Sequence, residues 1–548
     1  MRNLFIAACG ALAAIVQPQT ISSPDYFVET VASGLSLSIA FVFVEPDHML
    51  IAEKNTGRVK HYADGSFVNT ALDLPVNNTS ERGLLGITLH PNFASNGFVY
   101  VYYSRAAADG GTWLDNRVER YVWNGTTLAF NALIFSVPFD GAQGNGPNHN
   151  GGIIKFGPDG KLYIITGDLN RDRIEQNANT GTSSGVGGVH RLNDDGTLPG
   201  DNPFITNPVT GLRSFYSYGM RNSFGLAFDP ITGNLWQTEN GTTSYDEINL
   251  VSRGMNGGWR DIMGPDSRDP QGIGDLVMIP GAIYKDPIFS WFTPVAVTSI
   301  GFLTSDKYLP AERNQMLVGD NNNGFLYLFQ MNGARDDMIL TGGLADRVAD
   351  NDTERNMNVF GTGWAVVTDL QMGPDGYMYV CSLGLGEILR IRPKVETVLP
   401  SAFTLVRGNL VSGNLASTHF SDDDRFSMQS GIVFDSNPPV RLEVRGTAPV
   451  DDPVELRFQL EAQATSTSLQ QKVELFNYDT GLFEVVDARQ STLADSTLEV
   501  VVTTDPGRFI DDATKQVRAQ MSWKANAPLF VYTWTARVDL ANWKVKLQ

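Results

Sequence analysis

A turn followed by an apolar strand recurs along the first two thirds of the chain. Each copy joins a large apolar residue, a turn that holds Pro with Asp or Asn, and a short run rich in Val, Tyr, Leu and Ile. The turn prolines are Pro46, Pro91, Pro158, Pro230 and Pro374. The long gap before Pro374 leaves room for a degenerate copy, and Gly301–Asp306 followed by Met316–Gly319 fills it.

Six repeats of roughly 45–75 residues predict six short antiparallel sheets around a common axis. We therefore expect a six-bladed β-propeller over residues 26–395. A solenoid of strands is the structural alternative, but repeats this long and uneven favour blades that carry long loops.

The repeat stops at residues 392–402, where Pro393 and Pro400 indicate a linker. Beyond it the glycine turns become rarer and the alternation of apolar and polar residues sharpens, as in Val454–Glu461. Such strands are half-buried and are typical of antiparallel sheets packed face to face. The sequence predicts an all-β chain whose C-terminal part, residues 404–548, is a β-sandwich module; its role stays open.

The N-terminus has the pattern of a secretory signal. A short basic start, Met1–Asn3, precedes the apolar run Leu4–Val16, and polar residues follow. This pattern predicts a signal peptide over residues 1–20 and a secreted or periplasmic protein. Removal of that segment with Cys9 would leave Cys381 as the single thiol, so no internal disulfide is expected. No later stretch is long and apolar enough for a membrane span.

Composition and charge limit the class of partner. The chain has 548 residues, 42% hydrophobic and 18% charged, which is typical of a globular protein with more than one domain. Its net charge of −19 argues against a nucleic-acid partner, because phosphate binding requires clustered Lys and Arg.

Two polar residues flank the repeat copy at Pro158. His149 precedes its pair of strands and Asp168 follows the pair, so the fold can bring the two side chains together. A histidine with a pKa of about 6.5 suits proton abstraction, and a carboxylate can orient it. A structural loop histidine and a turn-closing carboxylate are the alternatives.

Five stretches together resemble the glucose/sorbosone dehydrogenase family, the soluble sugar dehydrogenases that use pyrroloquinoline quinone. They occur in the family's order within residues 26–392. The stretches are Glu81–Pro91, His149–Asp168, Arg191–Phe204, Tyr218–Pro230 and Glu239–Leu250.

The resemblance implies a role for several residues. His149 matches the general base that removes a sugar hydroxyl proton, and Asp168 matches its acidic partner. Arg221 and Asn222 match residues that contact the quinone, where the arginine polarises the carbonyl that accepts hydride. By the same resemblance, the backbone carbonyls of Gly241 and Thr242 bind calcium.

The chain departs from the family's pattern at other cofactor-binding positions. Asn322 stands where the family has Lys, Glu81 stands where many members have Gln, and Ala365–Thr368 lacks two expected arginines. The carboxylates of the quinone would meet fewer positive charges, so we expect altered quinone binding. Arginines that could compensate from other loops are Arg213, Arg260 and Arg355.

Three functions follow from these observations. The first is a calcium-dependent quinoprotein that oxidises an aldose or related sugar and passes electrons to an external acceptor. The second is a lactonase whose metal is bound by oxygen ligands from Glu81, Asp168, Asp320 and residues 321–323. The third is a non-catalytic propeller that binds glycans or proteins. The sequence leaves the sugar, the acceptor and the oligomeric state open.

Overall fold

The computed structural model describes residues 18–270, 272–431, 435–525 and 534–548. The chain forms two compact units, Met1–Arg392 and Pro393–Gln548. Most of the predicted signal peptide, including Cys9, lies outside the described residues. None of the helices in the described ranges is long and apolar enough to cross a bilayer.

In its described residues the first unit contains six β-sheets. They are numbered by the position along the chain of the strand that is given first for each sheet. Sheets 1 to 3 are built from consecutive stretches of chain. Their strands, in order across each sheet, are Ser38–Glu45, His48–Glu53, Arg58–Ala63 and Ser66–Asp73 (sheet 1); Leu84–Leu89, Phe98–Ala106, Trp113–Trp123 and Leu128–Pro138 (sheet 2); and Ile154–Phe156, Leu162–Thr166, Gly188–Leu192, Phe215–Tyr218, Met255–Asn256 and Ile283–Tyr284 (sheet 3).

Sheet 4 uses strands from residues 225–349, whereas sheets 5 and 6 combine strands from both ends of this unit. Their strands are Gly225–Phe228, Leu235–Glu239, Asp246–Val251, Phe289–Trp291 and Val348–Ala349 (sheet 4); Val297–Phe302, Met316–Asp320, Leu326–Phe329, Val359–Thr362 and Thr20–Ile21 (sheet 5); and Val367–Met372, Met378–Ser382, Glu387–Pro393 and Tyr26–Ala32 (sheet 6).

The first strand of each sheet packs against the first strand of the next sheet. The series returns to its start, because Val367–Met372 of sheet 6 contacts Ser38–Glu45 of sheet 1. The degenerate repeat copy predicted near residue 301 supplies the first two strands of sheet 5.

Helices in the described residues are single turns within the loops. In the first unit these are the α-helical turns Phe93–Asn96 and Asp352–Arg355, and the 3-10 turns Ile174–Gln176, Thr210–Leu212, Asp266–Arg268, Ile273–Asp275, Gly342–Asp346 and Asn356–Asn358.

The repeated turn has the same contacts in two distant copies. In sheet 3 the Asp159 carboxylate accepts hydrogen bonds from the Lys161 amide and the Tyr163 hydroxyl. In sheet 6 the Asp375 carboxylate accepts the equivalent bonds from the Tyr377 amide and the Tyr379 hydroxyl. Such an aspartate satisfies the turn's backbone and ties it to the following strand. The sequence repeat therefore corresponds to a repeated structural unit.

The second unit contains two sheets in its described residues. Sheet 7 has the strand order Asn409–Ser412, Phe426–Gln429, Thr535–Lys546, Glu455–Ala464 and Ser496–Val502, with Val395–Val398 also paired to Thr535–Lys546; sheet 8 has the order Ala402–Arg407, Val440–Thr447, Gln516–Ala525, Leu469–Asn477 and Leu482–Gln490. Two 3-10 turns, Leu415–Thr418 and Pro506–Phe509, complete it.

The strand Glu455–Ala464 has the alternation that the sequence predicts. Its buried positions include Leu456, Phe458 and Leu460, which pack in one core with Trp523. A sheet that buries one face produces this pattern, because successive side chains point to opposite sides.

The segment interpreted as a linker is part of the second unit. Val395–Val398 forms a strand against Thr535–Lys546, and Val398 is buried. The flanking Pro393 and Pro400 obscured this strand, because prolines that border a four-residue strand look like the prolines of a linker. The unit accordingly begins about ten residues earlier than the sequence indicated.

His190 is a buried histidine on the strand Gly188–Leu192. Its ring packs between Phe135 and Phe215, and its nitrogens contact the hydroxyls of Thr166 and Ser214. Burial disfavours the charged imidazolium and lowers the pKa of His190 from 6.5 to about 3.

We predict that acid destabilises the first unit through His190. In the unfolded chain His190 binds a proton below about pH 6.5, whereas in the folded chain it binds this proton only below about pH 3. Stability is therefore full above pH 6.5 and falls by about 1.4 kcal/mol per pH unit as the pH drops. In His190→Gln, denaturant unfolding between pH 7 and pH 4 should show a shallower fall, although the variant is less stable overall. A pH slope unchanged from wild type would contradict the prediction; His48→Gln, at a half-buried histidine, is the control.

Candidate active site

His149 lies in the loop before the strand Ile154–Phe156, at the edge of sheet 3. Its backbone has the left-handed φ of 60°. The amide N–H of His149 donates to Glu81 Oε2 at 2.6 Å, and Ser80 Oγ contacts Asn148 Oδ1 at 2.5 Å. The loop that precedes sheet 2 thus fixes the conformation of the histidine loop.

His149 and Asp168 meet as the sequence predicts. Nδ1 of His149 lies 2.7 Å from Oδ1 of Asp168, and both side chains are buried. The strands Ile154–Phe156 and Leu162–Thr166 are antiparallel neighbours, so the segments before the first and after the second lie at the same end of sheet 3. Because a carboxylate accepts hydrogen bonds, Nδ1 carries the proton and Nε2 the lone pair. The ring is prepared to accept a proton at Nε2.

Arg221 and Asn222 lie directly beside this pair. The Asp168 amide donates to the Arg221 carbonyl at 2.8 Å. Both amides of the Arg221–Asn222 segment donate to Oε1 of Glu239, at 3.0 and 2.6 Å. Burial raises the pKa of Glu239 to about 7, against these donors. The backbone of this segment is therefore held by hydrogen bonds to Asp168 and Glu239.

Glu81 links the two halves of the cluster. Its carboxylate accepts the His149 amide on Oε2 and the Asn222 side-chain amide, at 3.2–3.3 Å. We name this group, Glu81, His149, Asp168, Arg221 and Asn222, the histidine network. Five of the eight predicted site residues thus form this network, and a sixth, Gly241, accepts a hydrogen bond from Arg221.

Trp259 is a member of the site that the sequence did not reveal. Its indole Nε1 donates to Oδ2 of Asp168 at 2.8 Å, and its ring lies 5.5 Å from the guanidinium carbon of Arg221. The stretch Gly257-Gly258-Trp259, in which an aromatic residue follows two glycines, was the available signal.

Lys54 also belongs to the surroundings of the network and was missed. Its Nζ donates to the Ser80 carbonyl at 2.7 Å. Burial lowers the pKa of Lys54 to about 8, and the nearby charge of Glu81 opposes that shift. The site therefore has a cation near Glu81 that the resemblance to the family did not indicate.

Asn322 lies elsewhere in the first unit. Its side chain is exposed, and its Nδ2 donates to the Pro294 carbonyl at 3.1 Å. The adjacent Asp320 accepts bonds from Asn323 and Tyr327 of its own sheet. None of the hydrogen bonds found among the described residues connects Asn322 to the histidine network, and its role in cofactor binding stays a prediction.

The three compensating arginines have other partners. Arg213 donates to the Asn207 carbonyl at 2.8 Å, and Arg260 pairs with Asp172 at 3.0 Å. Arg355 pairs with Asp352 at 2.9 Å. None of these partners belongs to the histidine network, whose own cationic member is Arg221.

The Arg221 guanidinium contacts the segment that contains Gly241 and Thr242. Arg221 Nη1 donates to the carbonyls of Asn240 and Gly241, at 3.0 and 2.8 Å. A Cβ at Gly241 would meet the Ser244 carbonyl oxygen at 2.1 Å, so only glycine fits there. Thr242 is exposed. A carbonyl oxygen has two lone pairs, so the Gly241 oxygen can bind a cation while it accepts from Arg221.

Two buried atoms of the network lack a hydrogen-bond partner in the described structure. They are Nε of Arg221, a donor, and Oδ1 of Asn222, an acceptor. Unpaired buried polar atoms are rare and costly, and they indicate a missing ligand or water. A bound molecule with both a carbonyl acceptor and an N–H or O–H donor fits these two atoms.

We predict that Glu81 restrains the His149 amide. A hydrogen bond to a charged group is worth about 1.5–3 kcal/mol, so Glu81→Ala should speed hydrogen–deuterium exchange of that amide at least tenfold. Mass spectrometry of the peptide over residues 145–150 measures it. Glu45→Ala, at an exposed position, should leave the peptide unchanged. Equal exchange in wild type and Glu81→Ala would show that the loop is held by other contacts.

Comparison with known proteins agrees with the geometry. Residues 35–390 match the family model described as glucose / sorbosone dehydrogenase. Aldose sugar dehydrogenase YliI of Escherichia coli (strain K12) is 28% identical over 375 residues, 67% of this chain and 93% of that protein. Quinoprotein glucose dehydrogenase B of Acinetobacter calcoaceticus is 30% identical over 264 residues, 44% of this chain and 54% of that protein.

The fold also has solved counterparts. The soluble aldose sugar dehydrogenase (Asd) from Escherichia coli in the apo-form superposes with a TM-score of 0.54 at 25% identity, covering 67% of this chain and 99% of that one. The matched region contains all five residues of the histidine network. The chain belongs to the glucose/sorbosone dehydrogenase family.

Proposed function

We propose that this member of the family is a quinone-dependent oxidoreductase that oxidises an aldose or related sugar at the histidine network. The observation that carries the proposal is the buried His149–Asp168 pair at 2.7 Å, with Arg221 and Asn222 beside it. A proton acceptor and a cationic donor at one place are what alcohol oxidation requires of the protein.

We further propose that the first unit is a six-bladed propeller and the second a β-sandwich. The closed series of contacts between the first strands of sheets 1 to 6 supports the propeller. The single core that draws residues from both sheet 7 and sheet 8 supports the sandwich.

The chain's own residues account for the handling of the proton. His149 accepts the proton of the sugar hydroxyl at Nε2 and becomes an imidazolium. Asp168 stabilises that charge through the Nδ1 hydrogen bond and prevents the ring from turning. Arg221 presents its unpaired Nε beside this pair and would stabilise negative charge that develops on an oxygen there.

Pyrroloquinoline quinone would supply a two-electron acceptor. The unpaired Nε–H of Arg221 would donate to a carbonyl of this quinone, and Asn222 beside it is a further proposed contact. Glu81 and Asn322 are the other proposed contacts, and a calcium ion on the carbonyls of Gly241 and Thr242 would add positive charge. These few cations would hold the quinone's carboxylates with fewer charge-assisted bonds than a Lys and two Arg would.

The apolar run Leu4–Val16 after a basic start supports a secreted or periplasmic location, in which an external acceptor would take the electrons.

Lactone hydrolysis is less supported. Among the described residues, the acidic group with metal-binding distances is in the second unit and includes neither Glu81 nor Asp168. Non-catalytic binding remains the outcome expected if no sugar is oxidised.

We predict that wild-type protein reconstituted with the quinone and calcium reduces a dye in the presence of an aldose, and that His149→Asn lowers kcat by about 10²–10⁴. The loss follows from removal of the proton acceptor. His48→Asn should keep wild-type activity, since His48 lies on sheet 1 outside the histidine network. If the wild type neither reduced the dye nor retained the quinone, the proposed function would be refuted.

We predict that Glu81→Gln strengthens quinone binding. Gln retains an acceptor for the His149 amide but removes a negative charge, and one nearby unit charge is worth on the order of 1 kcal/mol. Binding should be roughly threefold to tenfold tighter by fluorescence titration, with the effect smaller at high salt. The control is Glu45→Gln at an exposed position. Weaker binding by Glu81→Gln would contradict the prediction and would mean that the cofactor or its ion requires the negative charge at this position.

A further inference from the structure

Trp259 is fixed by its backbone at the end of sheet 3. It follows the strand Met255–Asn256 and two glycines. Its amide donates to the Gly219 carbonyl at 3.0 Å, and its carbonyl accepts from Asn177 Nδ2 at 2.7 Å. The main chain at Trp259 is therefore held on both sides.

The indole N–H completes the hydrogen bonding of Asp168. Oδ1 of Asp168 accepts from His149 Nδ1 and from the Asn170 amide, both at 2.7 Å. Oδ2 accepts from Trp259 Nε1 at 2.8 Å. Donors on both oxygens define the rotation of the carboxylate about its last bond. The hydrogen bonds from His149 and Asn170 both go to Oδ1, so the indole supplies the contact to Oδ2.

The face of the same ring is turned toward the cationic member of the network. The guanidinium carbon of Arg221 lies 5.5 Å from the ring centroid, within the range of a cation–π contact. Trp259 therefore contacts both the partner of the base and the cation, with two different parts of one side chain.

We infer that Trp259 is a positioning residue of this site: its N–H fixes the Asp168 carboxylate that orients His149, and its ring fixes Arg221. The inference rests on the proposed function for the role of His149 as the base. The structural contacts on which it depends are independent of any cofactor.

Trp259→Phe separates the two contributions, because phenylalanine keeps a ring beside Arg221 and removes the N–H. The readout is the low-field proton resonance of His149 Nδ1–H in protein without quinone, assigned by its absence in His149→Gln. We expect a slowly exchanging line in wild type and a broadened or absent line in Trp259→Phe. Trp123→Phe, in sheet 2, should keep the line. A line unchanged in position and width in Trp259→Phe would overturn the inference.

Kinetics provide a second readout on reconstituted protein. Trp259→Phe should lower kcat at least tenfold while KM for the sugar stays within twofold, because the N–H orients the base and not the substrate. A change confined to KM would overturn the positioning role. If wild type oxidised no sugar, the proposed function would fail while the proton resonance still tested the contact.

If Trp259→Phe does not fold, a measurement on the indole of Trp259 itself tests the same contact. In protein labelled with ¹⁵N-tryptophan, the Trp259 Nε1 proton should exchange at least tenfold faster in Asp168→Ala than in wild type. Equal exchange would show that the indole does not depend on this carboxylate, contrary to the inference.

Discussion

The need of buried carboxylates for hydrogen-bond donors organises this site. Asp168 and Glu239 are buried, and Glu81 is half-buried. Asp168 and Glu81 each accept hydrogen bonds from more than one loop, and Glu239 accepts three from residues 221–223. Asp168 joins the end of sheet 3 to Trp259, Glu81 joins the loop before sheet 2 to His149 and Asn222, and Glu239 fixes the entry to sheet 4. Because an unpaired carboxylate would cost several kcal/mol, the loops are held in one arrangement.

The acidic charge of the chain bears differently on the two molecules that the site would bind. A neutral sugar does not respond to a net charge of −19, whereas an anionic cofactor approaches against that field. Lys54 and Arg221 are the cations found near the network, and Lys54 lies on the same side as Glu81, whose charge it partly balances. The part of the site that is proposed to accept the proton is thus built from protein contacts, while the part that would hold the cofactor depends on few charges.

The sequence predicted the features that are local or repeated. The Asp159 and Asp375 turns recur with the same contacts, and His149 and Asp168 flank one antiparallel pair, so the repeat itself brings them together. Trp259 could not be predicted in this way, since it reaches Asp168 across 91 residues from a loop without periodicity. The first strand of the second unit was missed because four residues between prolines carry too short an alternation. Asn322 was assigned by its position in the family's pattern, and its role in cofactor binding stays a prediction.

The N-terminal strand Tyr26–Ala32 lies in sheet 6 beside Glu387–Pro393, and Arg390 pairs with Glu29 across 361 residues of sequence. During synthesis, this strand must therefore remain without its partner until nearly the whole first unit has left the ribosome. Contacts so distant in sequence form late and slowly, and an unpaired strand edge is prone to aggregation while it waits. The pairing of this early strand with the last strand of sheet 6 thus makes the order of synthesis, and protection of the early chain, a condition for completing the first unit.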